Sequence, residues 1–377
     1  MRSRLHASTS FAALWLGLAC AATAPAQTTA SDFDALVVEL PALYRDGHYL
    51  KLEDVLASLG RSNPTRAIAA IKSLKPELPP RASEVVFGAW ARQDLRAAFA
   101  WARDNEPAFL GRVQFIRALA AGRDLSILEE TLIALGASQT PGAIQPEARG
   151  GRGMQSVFFV QLAAREWAKV DPEAIIAWAR TATERKFSGD IQAKAFTGII
   201  FVLAQKSPTE TFQWLETGIF VDPALDPTRN GPRGFYQAFV EGVVVGSSVE
   251  AAEAYFQDKP AKPDYAMAYS ALAKALAKTA PERIERWVAA IEDPFFKAGA
   301  VIEPVNYLRE TRPKLAADLF VKYSRNLSTP RGQADLRAMM LAWAEKDAPA
   351  ALAFLETAPR LTPENRAALK AAIAPNP

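Results

Sequence analysis

Two stretches of the chain share the pattern that decides the fold. Residues 90–102 read WARQDLRAAFAWA and residues 167–179 read WAKVDPEAIIAWA, so each copy has Trp, then Asp four residues later, then a second Trp seven residues beyond the Asp. Such self-similarity is typical of repeat architectures. With the Asp as anchor, weaker copies place further anchors at Asn63, Asp124, Ser207, Ser248, Ala280, Arg312 and Asp347.

Each anchor is predicted to begin a helix. In five copies Pro follows the anchor directly, at Pro64, Pro172, Pro208, Pro281 and Pro313. Asn, Asp or Ser at an N-cap accepts a hydrogen bond from an unpaired helix N–H, and Pro suits the first helical position because it has no N–H to satisfy. We therefore expect each anchor to end one helix, called helix A, and to begin the next, called helix B. The predicted N-caps are Asn63, Asp94, Asp171, Ser207, Ser248 and Asp347.

The tryptophans follow the same register. Seven of the eight stand four residues before an anchor or seven after one, at Trp90, Trp101, Trp167, Trp178, Trp214, Trp287 and Trp343. Alanine fills many of the positions between them, and small side chains let helices approach closely while a large ring fills the remaining gap. The seven tryptophans are therefore predicted to pack in the seam between helix A and helix B.

The pattern predicts an all-α fold. No period-2 stretch is long enough for a strand, and a helix pair that cannot bury its apolar face alone must stack on its neighbours. The predicted architecture is a right-handed α-solenoid of about nine antiparallel helix pairs with capping helices. The predicted organisation is a signal peptide over 1–26, an N-terminal cap helix within 27–47, repeats over 48–357, and a C-terminal cap helix and tail over 358–377.

The N-terminal segment is typical of a secretory leader. Two arginines precede an apolar run over 11–19, and Ala24-Pro25-Ala26 has the small residues that a signal peptidase recognises. We expect cleavage after Ala26 and a periplasmic or secreted protein. The single cysteine, Cys20, lies within this leader, which leaves a lipoprotein as the alternative. No later segment reaches the ~20 apolar residues of a spanning helix, so none is predicted in the mature chain.

Charge and histidine content narrow the function classes. The chain has 44 Lys and Arg against 41 Asp and Glu, and loss of the two leader arginines lowers the formal net charge from +3 to +1. This balance gives no electrostatic footprint for nucleic-acid binding. Of the two histidines, His6 lies in the leader, and a lone His48 indicates neither a zinc site built on His clusters nor a catalytic triad. No cofactor or metal is predicted.

The repeats resemble known helical-repeat families. Trp178 lies six residues after Pro172, and Gly189-Asp190 stand eleven and twelve residues beyond that Trp. This spacing resembles the tetratricopeptide pattern, in which Pro ends one unit and Trp opens the next, and the variable unit length resembles HEAT-like helix pairs. The arrangement is also similar to repeats of uncharacterised exported bacterial proteins. The resemblance implies a scaffold that binds proteins or peptides along a concave face.

Two glycine-rich loops carry the candidate binding site. The first contains Arg149 and Arg152, and the second contains Arg229 and Arg233. Both loops join a helix B to the next helix A, just before a helix N-terminus, where free N–H groups and the helix dipole favour an anion. The guanidinium group also binds carboxylate or phosphate through two parallel hydrogen bonds. We predict an anion or acidic-peptide site at these four arginines, with polar surface loops as the alternative.

Two functions remain open at this point. The first is a non-enzymatic exported scaffold for protein–protein or peptide binding in the cell envelope, because repeats span the chain and no catalytic constellation is visible. The alternative is an α/α-toroid enzyme that acts on a cell-envelope or polysaccharide substrate through carboxylates, since several helical hairpins can close into a ring. Glycoside hydrolysis requires two carboxyl groups at a fixed separation. The nearest carboxylate sets are Glu53 with Asp54, Glu129 with Glu130, and Asp222 with Asp226.

Overall fold

The protein is all-helical in the part of the chain that the structure describes. A computed structural model describes residues 30–74, 78–137, 152–185, 187–218, 232–259 and 262–373, and these ranges contain no strand. The helices are α1 (Ala30–Arg45), α2 (Tyr49–Ser62), α3 (Pro64–Ser73), α4 (Arg81–Gln93), α5 (Leu95–Asn105), α6 (Val113–Gly122), α7 (Leu125–Ala134), α8 (Arg152–Val170), α9 (Pro172–Arg180), α10 (Gly189–Lys206), α11 (Pro208–Glu216), α12 (Pro232–Gly246), α13 (Val249–Ala254), α14 (Ala266–Thr279), α15 (Ile284–Ala289), α16 (Pro294–Ala300), α17 (Ile302–Thr311), α18 (Pro313–Tyr323), α19 (Pro330–Thr357) and α20 (Pro363–Ile373).

Helices meet across one extended residue at several anchors. Asn63 separates α2 from α3 with φ −150° and ψ 81°, and Asp171 separates α8 from α9 with φ −149° and ψ 81°. Ala280 and Arg312 have nearly the same backbone (φ −147°, ψ 66° and φ −139°, ψ 65°), although no side chain caps the helix there. Asp347 (φ −159°, ψ 79°) breaks α19 into two helical halves. A recurring dihedral pair gives these helix junctions a similar turn.

Five of the six predicted N-caps accept a hydrogen bond from a backbone N–H. The acceptors, each bonded to the residue three positions later at 2.9–3.2 Å, are Asn63, Asp94, Asp171, Ser248 and Asp347. Ser207 also stands at the predicted N-cap position, directly before α11, but its side chain makes no capping hydrogen bond. Ser207 is exposed, so water can bind both its hydroxyl and the N–H groups at the start of α11.

The contrast between two anchors gives a stability prediction. Asp94→Ala is expected to cost about 1 kcal/mol of the free energy of unfolding, because it leaves the N–H of Ala97 without its acceptor. Ser207→Ala is expected to change stability by less than about 0.5 kcal/mol, because no capping bond is lost. Urea unfolding followed by circular dichroism measures both. Equal losses in the two variants would contradict the assignment of the caps.

Successive A helices pack side by side along the chain. Helix α2 packs on α4, α4 on α6, α6 on α8, α8 on α10, α10 on α12 and α12 on α14. Glycines permit a close approach between two of these helices: a Cβ at Gly198 of α10 would overlap the carbonyl oxygen of Gln161 on α8. The buried apolar side chains form one continuous cluster from Phe33 to Ile373. Helix α1 contacts α2 and α20 contacts α19, so the terminal described helices also join this core.

The tryptophans differ in how deeply they lie. Trp167, Trp178, Trp287 and Trp343 are buried, whereas Trp90, Trp101 and Trp214 are half-buried. Across the Asp94 junction the rings of Trp90 and Trp101 lie 5.7 Å apart. Across the Asp347 junction Trp343 lies 5.3 Å from Phe354, which takes the place of the second Trp. The aromatic residues on either side of these two junctions therefore contact each other between helix A and helix B.

Candidate functional site

The side chains of the four arginines in the predicted anion site lie outside the part of the chain that the structure describes. Arg149 and Arg229 lie outside the described residues. Arg152 is the first residue of α8 and Arg233 the second residue of α12, and their side chains also lie outside the description. The site at these four arginines therefore stays a prediction.

A second candidate surface lies on α8, α10, α12 and α14. These A helices contact one another in order, and the face that each leaves uncovered carries half-buried or exposed side chains. We call this surface the A face; its side chains include Phe158, Gln161, Arg165, Phe201, Gln205, Gln237, Glu241 and Lys274. Phe158 is 64% exposed, so its ring is an apolar group available to a ligand on this surface. The A face thus offers apolar, amide and charged groups in one place.

Arg165 and Phe201 join α8 to α10 on the A face. The guanidinium carbon of Arg165 on α8 lies 3.1 Å from the centroid of the Phe201 ring on α10, in a cation–π stack. Arg165 forms no ion pair with any carboxylate of the described residues. Burial lowers the pKa of the Arg165 guanidinium, against the opposite effects of Glu241 and Glu166. The stack therefore holds a partly desolvated cation whose N–H groups have no carboxylate partner in the described part of the chain.

Other charges on these helices are paired more directly. Arg117 on α6 lies 3.5 Å from Glu166 on α8, and Lys274 on α14 lies 2.6 Å from Glu303 on α17. Glu241 on α12 accepts a hydrogen bond from Gln237 at 2.9 Å and, like Arg165, forms no ion pair within the described ranges. Two charges without ion-pair partners among the described residues, Arg165 and Glu241, therefore lie on the helices that flank α10.

Two carboxylates, the half-buried Glu129 and the buried Glu253, accept hydrogen bonds from buried tryptophans at the same repeat position. Glu129 stands five residues after its anchor Asp124 and accepts hydrogen bonds from Trp178 Nε1 at 3.0 Å and from Arg185 at 2.7 Å. Glu253 stands five residues after Ser248. It accepts a hydrogen bond from Trp287 Nε1 at 2.6 Å and pairs with Arg283. In both cases the Trp stands seven residues after an anchor. The carboxylate links one helix B to a later one.

A third carboxylate, that of Glu216, binds two tyrosine hydroxyls and a lysine ammonium group. Glu216, at the end of α11, accepts hydrogen bonds from Tyr236 at 2.6 Å and Tyr265 at 2.8 Å, and Lys262 lies 3.2 Å away. Burial raises the pKa of Glu216, but the hydrogen bonds from the two tyrosines and Lys262 outweigh it, and the pKa lies below its usual value. Burial and Glu216 itself raise the pKa values of Tyr236 and Tyr265, so both phenols remain donors.

The lowered pKa of Glu216 gives a pH prediction. As pH falls, the unfolded chain takes up the Glu216 proton first, so the contribution of this carboxylate is present at neutral pH and is lost below the usual Glu range of about pH 4.3. Glu216→Gln is therefore expected to destabilise the protein more at pH 7 than at pH 3. Chemical denaturation at both pH values measures the difference. An equal loss at both would mean that the ionised form makes no special contribution.

Three of the carboxylates singled out in the sequence are engaged in structural contacts, whereas Asp54 is exposed and has no hydrogen bond or ion pair with another described residue. Glu129 binds Trp178 and Arg185, and Glu130 lies 3.7 Å from Arg96. Glu53 lies 3.2 Å from Arg81. Asp222 and Asp226 lie outside the described residues. Within the described ranges no group of three or more His, Cys, Asp or Glu side chains is arranged to hold a metal ion, and none of the helices there is long and apolar enough to cross a membrane.

Comparison with known proteins identifies no relative. No family model, no curated protein and no solved structure matches this chain.

Sequence reasoning missed the A face and the two glutamates that bind tryptophans, although the repeat register contained a signal for both. Arg165, Phe201 and Lys274 each stand six residues before an anchor, and that position faces away from helix B. Glu129 and Glu253 each stand five residues after one. Aligning every copy on its anchor would have grouped these residues before any contact was known.

Proposed function

We propose that the protein is a non-enzymatic helical-repeat scaffold that binds a protein or peptide partner in the cell envelope. The proposed architecture is the right-handed α-solenoid of about nine helix pairs. The proposal is supported by the neighbour-on-neighbour packing of the A helices and by the single-residue junctions at the anchors. In such an architecture successive A helices present one continuous surface.

The observation that carries the proposal is the composition of the A face. Phe158 offers an exposed apolar ring, and Gln161, Gln205 and Gln237 are half-buried amides along the same row of helices. Side-chain amides both donate and accept hydrogen bonds, as the backbone of a bound polypeptide requires. Arg165 and Glu241 add charges without direct ion-pair partners among the described residues, which favours recognition of a polar chain over an apolar ligand.

Site-specific photocrosslinking in the native host tests the function. A photoreactive phenylalanine at position 158 is expected to give discrete protein adducts, because the side chain at this position is exposed on the A face. The matched control is position 177, an exposed residue on helix α9. Adducts at 158 and none at 177 support a partner on the A face. Absence of adducts at both positions, or identical adducts at both, would refute it.

Small-angle scattering tests the architecture independently of any partner. An open solenoid is expected to scatter as an elongated particle, whereas the closed ring required by the toroid-enzyme hypothesis scatters as a compact one.

The proposed localisation is the periplasm or the exterior, with a lipoprotein as the alternative. The intact mass of the protein purified from its host distinguishes a chain that begins at Gln27 from one that begins at a lipidated Cys20.

A further inference from the structure

Arg165 is a charge on the A face that has no ion-pair partner among the described residues. It is half-buried, burial lowers its pKa, and it forms neither a hydrogen bond nor an ion pair with another described residue. Removing a charge from water without pairing it is costly. Two other cations on this row, Arg117 and Lys274, each have a carboxylate across the helix contact. A ligand that supplies a carboxylate to Arg165 would relieve this cost.

The Phe201 stack prepares the guanidinium for such a ligand. The aromatic ring covers one face of the guanidinium plane and restricts its orientation. The N–H donors lie in that plane at its edges, which is the geometry that binds a carboxylate through two parallel hydrogen bonds. Because the stack restricts the side chain before binding, less conformational entropy is lost when the ligand binds.

The A helices on both sides of Arg165 favour a peptide ligand that continues past Arg165 in both directions over one that ends at it. A helices continue on both sides of α8 and α10, with α6 before them and α12 and α14 after them. Packed helices lie about 8–10 Å apart, and an extended peptide advances about 3.3 Å per residue, so about three residues cross each helix. A segment of twelve residues would cross about four A helices.

We propose that the A face binds an extended acidic peptide segment, with an internal Asp or Glu side chain of the segment paired to Arg165 on its Phe201 stack. The inference rests on the proposed scaffold function and specifies the chemistry of its partner. Phe158, two helical turns before Arg165 on α8, supplies an apolar contact beside the ion pair. Glu241 lies on α12, on the other side of α10, and repels a second acidic residue of the peptide. The peptide therefore binds best when its acidic residue stands at the position that meets Arg165.

Selection from a library of random dodecamers tests this inference. The peptides are displayed at the N-terminus of a phage coat protein, so they carry no free C-terminal carboxylate and any acidic signal comes from side chains. The purified full chain is expected to enrich peptides with Asp or Glu at a fixed position. The Arg165→Gln variant is expected to lose that enrichment. Arg117→Gln, which removes an exposed and already paired cation on α6, is the matched control and is expected to retain it.

Solution affinities then resolve the contact. The best enriched peptide and its Asp→Asn or Glu→Gln counterpart are synthesised with blocked ends and titrated by fluorescence anisotropy. Removing the peptide carboxylate or Arg165 is expected to weaken binding about tenfold, and removing both is expected to weaken it little further, since the two groups form one contact. Glu241→Gln is expected to tighten binding of the acidic peptide, because it removes a nearby negative charge.

The outcomes separate the inference from the function on which it rests. Enriched peptides without an acidic preference, or additive losses in the double change, would overturn the Arg165 pairing and leave the scaffold function standing. Enrichment of apolar peptides that depends on Phe158 would likewise overturn the Arg165 pairing and leave the scaffold function standing. If no peptide is enriched and photocrosslinking at position 158 also gives no adduct, both the pairing and the scaffold function fail.

Discussion

Gly198→Ala is expected to lower the free energy of unfolding by about 2 kcal/mol or more, although alanine favours a helix over glycine by about 1 kcal/mol. Gly198 lies in α10 where this helix meets α8. A Cβ there would overlap the carbonyl oxygen of Gln161 and would lie 3.0 Å from the backbone nitrogen of Arg165. Both neighbours are backbone atoms, so no side chain can rotate away. The two helices must move apart.

The matched control is another helical glycine with open space around it. A Cβ at Gly299 in α16 would meet no atom within 4 Å, so Gly299→Ala should keep or raise stability through helix propensity alone. Chemical denaturation of the two variants measures the difference. Equal stability of Gly198→Ala and the parent protein would mean that α8 and α10 do not approach as closely as described.

The same substitution has a functional consequence. Arg165 lies on α8 and Phe201 on α10, so separating the two helices separates the guanidinium from the ring. Gly198→Ala is therefore expected to weaken binding of an acidic peptide as well as stability, although Gly198 itself lies beneath the A face. Gly299→Ala should weaken neither stability nor peptide binding.

The features that depend on local chemistry were predictable from the sequence. An aspartate at a helix N-cap reaches the backbone N–H three residues later without help from the surrounding tertiary structure, as at Asp94, Asp171 and Asp347. Ser207 stands at a helix start in the same way, yet its exposed hydroxyl makes no capping bond. The competition between a helix N–H and water at a hydroxyl is decided by surroundings that the anchor pattern does not specify.

The candidate site depends on contacts between distant segments, which the pattern did not resolve. Arg165 and Phe201 are 36 positions apart and meet only because successive A helices pack in register. In α13, Glu250 is exposed and Glu253 is buried, although three positions separate them on a helix of small residues. Composition cannot distinguish the two glutamates. The distinction arises when the following helix B places Trp287 and Arg283 against one of them.

That distinction leads to the largest stability effect that we expect. Glu253→Ala should lower the free energy of unfolding by about 3 kcal/mol, because it leaves the buried N–H of Trp287 without an acceptor and opens a cavity in the core. Arg283 adds little to this loss, because its side chain is 41% exposed and it keeps Glu250 as a partner. Glu253 is 3% exposed, so water cannot replace the lost carboxylate without opening the core. Glu250→Ala is the matched control, since Glu250 contacts the same arginine at 3.6 Å from the surface. It should shift the urea midpoint little.

Two further variants separate the cost of losing the carboxylate from the net value of the cluster. Glu253→Gln retains an acceptor for Trp287 but not the charge, so it should destabilise less than Glu253→Ala. Replacing the cluster together, as Glu253→Leu with Arg283→Met and Trp287→Phe, removes every unpaired polar group and should recover much of the loss, because an apolar replacement of a buried ion pair is often neutral. If the triple variant is as unstable as Glu253→Ala, the loss comes from packing volume. If it recovers, the loss comes from unpaired polar groups, and the carboxylate at this repeat position is required chiefly because the tryptophan and the arginine are there.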